Sequence, residues 1–126
     1  MKNHSVLVVD DEPSIVISLE YLLSQAGYDV HTASDGQQAL DAVRALRPRL
    51  VLLDVMMPVM NGFEVCRRIR DDPALVGTRI LMLSTKGRDV EISQGMTLGA
   101  DAYITKPFAT RELMAAVARL MQPSSP

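Results

Sequence analysis

The sequence predicts an α/β domain in which a doubly wound sheet of five parallel strands lies between two layers of helices, five helices in all. Short apolar runs alternate with segments of helical periodicity about five times along the chain, a pattern typical of a parallel sheet with helices on both faces. An eight-fold α/β barrel needs about 250 residues, and this chain has 126. The open three-layer sheet is therefore the architecture that remains.

The predicted strands are short and differ in polarity. The first and third are continuous apolar runs, as expected of strands that are buried on both faces. The second mixes polar and apolar residues and should lie nearer an edge of the sheet. In chain order the predicted strands are residues 5–9, 28–33, 50–53, 80–83 and 102–104.

Turn and capping residues delimit the predicted helices. Asp11 and Pro13 favour the start of the first helix, and Gly27 is placed to end it. The third helix carries apolar residues between positions 63 and 69, and Asp72–Pro73 breaks the chain after it. Thr110 is predicted to N-cap the fifth helix, which continues to position 120. The second and fourth helices are expected at residues 36–46 and 88–98.

The composition is that of an ordinary globular domain, and it narrows the classes of function. A net charge of −2 without a basic block gives no reason to expect direct contact with nucleic acid. The lone Cys66 cannot form an internal disulfide, which is compatible with a reducing compartment. The apolar run in MKNHSVLVVDDE is too short and too soon charged for a signal peptide or a membrane span. We therefore expect a cytoplasmic domain that does not contact a membrane.

Carboxylates directly follow two of the predicted buried strands. Asp10, Asp11 and Glu12 come after the first strand, and Asp54 comes after the third. Ligands of a doubly wound sheet gather outside the carboxyl ends of the strands, at the point where the strand order reverses. The sequence does not establish the strand order, but in the order 2-1-3-4-5 this point lies between the first and third strands. These acids are then the principal candidates for a site.

Neighbouring carboxylates at a partly desolvated rim repel one another unless a cation joins them. Mg²⁺ suits such a place, because it takes one or two carboxylates, keeps several waters and bridges to phosphate. The alternative interpretation is that Asp10 and Asp11 merely cap the first helix, whose N-terminus favours negative charge. A further acid at the end of another buried strand is more than capping needs, which favours the metal site.

Two other strand ends supply a hydroxyl and a cation. Ser84 follows the fourth strand, where it can hydrogen-bond an oxyanion, and Lys106 follows the fifth, where it can pair with a carboxylate or phosphate. Each alone has an ordinary explanation, as a polar strand end or a solvated surface charge. Together with the acids they form a set suited to phosphoryl transfer, in which a protein mainly positions groups and neutralises charge.

Four segments carry a resemblance to a known family: VLVVDDEP, VLLDVMMPVMNGFEV, ILMLSTKG and GADAYITKPF, in this order. With them the chain resembles the receiver domain of two-component response regulators, and it is similar to the single-domain chemotaxis type. The resemblance covers residues 1–121, so residues 122–126 are interpreted as a tail or the start of a linker. It implies a flavodoxin-like fold with the strand order 2-1-3-4-5.

The resemblance implies a role for each residue of the pocket. Asp54 would accept the phosphoryl group, as an aspartyl phosphate. Asp10 and Asp11 would bind Mg²⁺ together with the Asp54 side chain and the main-chain carbonyl of Met56. Lys106 would pair with Asp54 and later with the phosphate.

The resemblance also implies a switch. Ser84 would move to meet the phosphoryl group, and the ring of Tyr103 would turn inward as Ser84 moves. The peptide bond between Lys106 and Pro107 would be cis, which costs little at an X-Pro bond. The surface formed by the fourth helix, the fifth strand and the fifth helix would repack as a result.

The implied function is a timed signalling switch rather than a turnover enzyme. A sensor histidine kinase or a phosphotransfer protein would supply the phosphoryl group, and a downstream protein or an output domain would respond to the switched surface. The sequence leaves open whether the chain acts alone or precedes an output domain. It also leaves open whether the protein is a monomer or a phosphorylation-dependent dimer.

Three positions depart from the commonest pattern of such domains. Thr85 stands where alanine is usual and could crowd entry to the site, and Lys86 stands on the same rim. Met56 is apolar at a position that often bears a polar side chain able to orient the attacking water. We hypothesise that Met56 makes spontaneous dephosphorylation slow.

Several other residues receive purely structural interpretations. Cys66 is expected to be a small core residue of the third helix. Gly62 is interpreted as turn geometry only. Arg67, Arg68 and Arg70 are interpreted as a solvated helix face.

Three rival functions deserve comparison. An Mg²⁺-dependent phosphatase or phosphotransferase would share the aspartyl-phosphate chemistry, but it would need a substrate pocket and usually a cap insertion, for which this chain has no room. A flavin-binding module can have the same strand order, yet it needs hydroxyl- and glycine-rich loops where the first loop here is acidic. A pseudo-receiver that is never phosphorylated is disfavoured by the complete set of acids, although Thr85 leaves some room for it.

Overall fold

The computed structural model describes residues 4–85 and 87–122. Within them five strands form one parallel sheet in the order β2-β1-β3-β4-β5. The predicted doubly wound fold is thereby confirmed, and so is the strand order that the resemblance implies. The strands are β1 Ser5–Val9, β2 Asp29–Ala33, β3 Leu50–Asp54, β4 Arg79–Ser84 and β5 Ala102–Thr105.

Five α-helices cover the two faces of the sheet. Buried side chains of α1 and α5 pack on one face, and those of α2 and α3 pack on the other. A single 3₁₀ turn follows α3, where the sequence predicts a break. The helices are α1 Pro13–Gln25, α2 Gly36–Leu46, α3 Gly62–Arg70, α4 Asp89–Thr97 and α5 Thr110–Leu120, and the turn is Pro73–Leu75.

The central strands are apolar throughout because they contribute to both cores. In β1, Leu7 and Val9 contact the core beneath α2 and α3, whereas Val6 and Val8 contact the core beneath α1 and α5. Successive side chains of a strand point to opposite faces, so both sets must be apolar when both faces are covered. This arrangement explains the unbroken apolar run that leads directly into the acids.

Glycine ends two of the helices. Gly27 after α1 and Gly99 after α4 have φ values of 94° and 111°, in the left-handed region that side chains rarely adopt. The main-chain N–H of Tyr28 donates to the carbonyl of Leu23 across the end of α1, which is the Schellman pattern. The prediction that Gly27 ends the first helix is confirmed.

The start of α1 at Pro13 agrees with the prediction, whereas the N-cap of α5 differs from it. Ala109 is the N-cap of α5 and Thr110 is its first helical residue, so the prediction that Thr110 caps this helix is wrong. The N-cap of α1 is Glu12, with Pro13 at the first helical position. A side-chain cap contributes only about 1 kcal/mol, and burial of the apolar stripe of α5 outweighs its loss.

Arg70 is not part of a solvated helix face, contrary to the interpretation of the sequence. Its side chain is 23% exposed and donates three hydrogen bonds. Nε binds the Gly99 carbonyl at 2.9 Å, Nη1 the Thr78 carbonyl at 2.7 Å and Nη2 the Asp101 carboxylate at 2.9 Å. Periodicity along α3 could not reveal these partners, because all of them lie in loops beyond the helix.

Arg67, Arg68 and Cys66, also on α3, match their interpretations. Arg67 and Arg68 lie on its outer side and pair with Glu64, an exposed arrangement that contributes little to stability. Cys66 is fully buried in the core. Burial raises the pKa of its thiol to about 11, an effect that the positive charge of Arg70 partly opposes. The thiol therefore stays protonated and acts as a small apolar side chain.

No helix within the described residues is long and apolar enough to span a membrane. Of the predicted tail, residues 123–126 lie outside the described part of the chain, and so does Lys86.

Candidate functional site

The strand order brings the predicted acids together. β1 and β3 are neighbours, and Val9 is paired with Leu53. The residues that follow this pair, Asp10 and Asp54, therefore stand side by side at the carboxyl edge of the sheet. Asp10 is 1% exposed and Asp54 is 3% exposed, whereas the adjacent Asp11 is exposed. One carboxylate oxygen from each of the three residues lies within 4.8 Å of the others.

Lys106 connects the two buried acids. Its Nζ donates to Oδ2 of Asp10 at 2.9 Å and to Oδ1 of Asp54 at 3.3 Å. The lysine follows β5, and its main-chain N–H donates to the Ser84 carbonyl at 2.7 Å, which places it over the ends of the central strands. The peptide bond between Lys106 and Pro107 is cis.

The charges of this cluster do not balance. Burial raises the pKa of Asp54, and the negative charge of Asp10 raises it further. The charge and hydrogen bond of Lys106 and a main-chain hydrogen bond from Met56 oppose both effects but do not cancel them. Burial lowers the pKa of Lys106, but its pairing with Asp10 and Asp54 outweighs burial and raises that pKa overall. The cluster therefore contains one ammonium group, that of Lys106, and three carboxyl groups, those of Asp10, Asp11 and Asp54.

The donor set fits a hard divalent cation. Three carboxylates offer oxygen ligands, and the exposed Asp11 leaves one side of the cluster open to water, which suits the partly hydrated coordination of Mg²⁺. Helix capping accounts for part of the arrangement, because Oδ1 of Asp10 accepts a hydrogen bond from the Glu12 N–H at 2.9 Å near the start of α1. Asp54 belongs to another strand and has no such role at α1.

Ser84 and Tyr103 form the next layer of the site. Ser84 is fully buried at the end of β4, and Tyr103 is partly buried on the neighbouring strand β5. A side-chain hydrogen bond joins them. Burial raises the pKa of the Tyr103 hydroxyl, and this hydrogen bond partly opposes the shift. The two residues implied as the switch are therefore already in direct contact.

Gly62 contributes to the site, which its interpretation as turn geometry missed. Its φ is not left-handed, but a Cβ atom at this position would lie 2.4 Å from the main-chain oxygen of Asp54 and 2.9 Å from Cα of Val55. Its N–H donates to the Val55 carbonyl at 3.0 Å. Glycine thus lets the first turn of α3 lie directly against the backbone of Asp54. Asn61, the N-cap that accepts from the Glu64 N–H at 3.0 Å, fixes the start of this helix.

The loop between Asp54 and α3 contains a strained residue that the sequence did not single out. Val59 has a φ of 68°, and the N–H of Met60 donates to the carbonyl of Pro58 at 2.7 Å. A bond between residues two apart around a positive φ is the rare, strained form of the γ-turn. Val59 is fully exposed, so no packing within the described chain offsets the strain.

Comparison with known proteins agrees with this geometry. Residues 6–118 match the family described as response regulator receiver domain. The alkaline phosphatase synthesis transcriptional regulatory protein PhoP of Bacillus subtilis is 46% identical over 97% of this chain and 50% of its own length. The DNA-binding response regulator MtrA of Mycolicibacterium smegmatis is 50% identical over 89% of this chain and 48% of its own. The chain spans about half the length of the curated relatives it matches.

Solved structures show the same fold. The chemotaxis protein CheY4 of Vibrio cholerae superposes with a TM-score of 0.88 at 36% identity, over 94% of this chain and 98% of that one. The receiver domain of the Francisella response regulator 1452 gives a TM-score of 0.88 at 28% identity, over 94% and 97% of the two chains.

The doubly wound sheet and its acidic rim define a phosphoacceptor domain of the signalling-switch class. The chain belongs to the response regulator receiver domain family of two-component systems.

Proposed function

We propose that Asp54 accepts the phosphoryl group and that Mg²⁺ binds beside it, held by Asp10, Asp11, the Asp54 carboxylate and the main-chain carbonyl of Met56. The observation that carries the proposal is the convergence of three carboxylates within 4.8 Å. When bound, the ion would neutralise charge on the oxygens of the transferring phosphoryl group. The Met56 N–H already donates to the Asp54 carboxylate, so this stretch of backbone lines the site.

Asp54 is the acid that the resemblance assigns as the nucleophile, and its carboxylate is buried and oriented. Met56 and Lys106 each donate a hydrogen bond to it. One Asp54 oxygen attacks the phosphorus of a phosphohistidine while the P–N bond breaks. The imidazole leaves with that electron pair and takes up a proton, and an aspartyl phosphate remains. Lys106, 3.3 Å from Asp54, pairs with the added charge of about −1.5 to −2.

Ser84 and Tyr103 would transmit the change. Ser84 is drawn toward the phosphoryl oxygens, and its side-chain hydrogen bond to Tyr103 holds the ring in the inward position. Tyr103 lies on β5 between α4 and α5 in the chain. Holding the ring in this position would fix the packing of the α4–β5–α5 surface, so that a local change at Asp54 alters a distant surface.

The partners proposed for the chain follow from the same chemistry. The donor would be a sensor histidine kinase or a phosphotransfer protein, and the responding partner a downstream protein or an output domain. MtrA is described as a DNA-binding response regulator, and this chain matches about half of it. We place any contact with DNA outside these 126 residues. A cytoplasmic location is part of the same proposal, with the chain either a monomer or a phosphorylation-dependent dimer.

The decisive experiment is phosphorylation by acetyl phosphate with Mg²⁺, followed by intact-mass measurement. Wild type is expected to gain one labile phosphoryl group with Mg²⁺ and none in EDTA. Asp54→Asn is expected to gain none in either condition. Asp35→Asn is the matched control, because Asp35 caps α2 and is not one of the three clustered acids, and asparagine caps equally well. A phosphorylated Asp54→Asn protein would exclude Asp54 as the acceptor.

Turnover distinguishes the switch from the rival enzyme. A receiver domain exposed to excess acetyl phosphate should acquire one phosphoryl group per chain and then release phosphate only slowly. Rapid and continuous release of phosphate would instead favour the Mg²⁺-dependent phosphatase. A colourless purified protein would dismiss the flavin-binding alternative.

A further inference from the structure

The buried side of α4 is unusually small. Of the nine residues of this helix, Glu91 and Gly95 are the buried ones, and they lie one turn apart. Glycine in a helix interior costs about 1 kcal/mol relative to alanine. Gly95 has a right-handed conformation, so backbone geometry does not require it. Its place at the buried centre of α4 therefore calls for a packing reason.

The ring of Tyr103 supplies that reason. A Cβ atom at position 95 would lie 3.1 Å from Cδ2 and 3.3 Å from Cε2 of Tyr103, and 2.9 Å from Sδ of Met82. All three separations are shorter than an ordinary carbon contact of about 3.5–4.0 Å. Alanine cannot be accommodated unless a neighbour moves, so Gly95 forms a notch in α4 that the tyrosine ring occupies.

Tyr103 is the neighbour most able to move. Met82 is fully buried within β4. The end of α4 is tied to α3, because Nε of Arg70 donates to the carbonyl of Gly99 at 2.9 Å. Tyr103 is only partly buried, which leaves outward rotation open to its ring. A side chain at position 95 would therefore displace the ring rather than the helix.

The seated ring is connected to the phosphorylation site. Its side-chain hydrogen bond to Ser84 reaches the end of β4, which pairs with β3 at Asp54. The position of the ring and the state of Asp54 are then coupled through Ser84. Coupling of this kind is reciprocal, so a residue that excludes the ring from its seat must also disfavour the phosphorylated state.

We propose that Gly95 is a positioning residue of the switch: the notch it leaves in α4 admits the Tyr103 ring to the inward position beside Ser84. The inference rests on the proposed function of Ser84 and Tyr103, and deepens it by naming the element that receives the ring. Gly95→Ala excludes the ring and weakens the response to phosphorylation while leaving Asp10, Asp11 and Asp54 intact.

The test uses the protein labelled with 3-fluorotyrosine and followed by ¹⁹F NMR during titration with beryllofluoride and Mg²⁺. The chain has three tyrosines, and Tyr103→Phe assigns the third resonance. We expect Gly95→Ala to shift the Tyr103 resonance before any addition and to weaken beryllofluoride binding by about fivefold or more. Gly77→Ala is the control, because no atom lies within 4 Å of its added Cβ, and it should behave like wild type.

A second background separates the notch from a general defect. In Tyr103→Ala the seat is empty and Met82 has room to yield, so adding Gly95→Ala should change beryllofluoride affinity by no more than about twofold. It should also raise the unfolding temperature in this background, since alanine favours the helix.

Two results would overturn the proposal: an unshifted Tyr103 resonance in Gly95→Ala, or an equal loss of affinity in both backgrounds. Failure of wild type to bind beryllofluoride would instead count against the proposed function. In that case the resonance and the unfolding temperatures would still decide whether Gly95 seats the ring.

Discussion

Val59 shows that a single residue near the site is held at a cost to stability. A β-branched residue at a φ of 68° is a conformational outlier, and left-handed backbone costs a non-glycine residue about 1–2 kcal/mol. The flanking residues hold the turn in place, since Met57 is buried in the core and Met60 packs against it. The strain is thus imposed by neighbours rather than relieved by contacts of Val59 itself.

Val59→Gly is expected to raise the free energy of unfolding by about 1 kcal/mol, because glycine adopts this φ without strain and only part of the gain is lost to its freer unfolded state. Urea unfolding measures the change. The matched control is Val76→Gly at another exposed valine, which has a right-handed φ of −60°; this change should lower stability. A loss of stability at both positions would contradict the strain.

Met56 borders the acidic cluster, and we hypothesise that its apolar side chain leaves the attacking water unoriented beside Asp54. Its side chain is 50% exposed, and its N–H donates to the Asp54 carboxylate, so the residue borders the site without offering a polar group to water. We expect Met56→Asn to shorten the lifetime of the phosphorylated form by roughly threefold to tenfold through orientation of the attacking water. Decay of the phosphorylated mass after donor removal measures it, with Leu46→Asn as an exposed apolar control. An unchanged lifetime would refute the hypothesis.

At the scale of elements, α3 holds the loop that precedes β5. Arg70 donates to Gly99, Thr78 and Asp101, and the Asp101 carboxylate also accepts from the N–H of Ile80 at 2.8 Å. The side chain of Arg70 fills the place where a Cβ at Gly99 would lie. One arginine therefore fastens the end of α4 to α3 and to the start of β4.

Replacing this arginine should weaken the packing of α4. Arg70→Met is expected to lower the free energy of unfolding by about 2 kcal/mol, because partly buried carbonyls lose their donor. Arg67→Met, on the same helix but with surface ion pairs, should change it by less than about 0.5 kcal/mol. Thermal and urea unfolding of the two variants compare them directly, and similar losses would show that Arg70 is an ordinary surface residue.

At the scale of the whole molecule, the buried acidic cluster lowers the free energy of unfolding when no cation is bound. Burial and the charge of Asp10 raise the pKa of Asp54 above its ordinary value of 3.8. The folded protein therefore retains this proton to a higher pH than the unfolded chain does. On the linkage relation the contribution of Asp54 to stability decreases as pH rises from about 3.8 through the raised pKa.

Asp54→Asn should consequently be more stable than wild type at neutral pH in metal-free buffer, with the difference disappearing as pH falls toward 3.8. Mg²⁺ at about a hundred times its dissociation constant should raise the stability of wild type by about 2.7 kcal/mol and that of Asp54→Asn by less. Urea unfolding across pH, with and without the ion, measures both effects. A wild type that is more stable than Asp54→Asn without metal would contradict the pKa argument.

The sequence by itself determined the fold class and which residues end the strands. The signals are local: apolar runs, helical periodicity, and the breaks at Gly27 and Pro73. Such signals suffice to place the ends of helices and strands within a residue or so. They also identify Asp10, Asp54, Ser84 and Lys106 as strand-end residues, because the alternation of elements fixes where each strand stops.

Only the tertiary structure decided which of these residues meet. The adjacency of Asp10 and Asp54 depends on β1 lying beside β3, and the partners of Arg70 lie in loops 8 to 31 residues away. Likewise, Gly62 and Gly95 are explained by backbone and a ring that approach from other elements. Periodicity reports which face of an element is buried, whereas the atoms that cover that face are set by the packing of the whole chain.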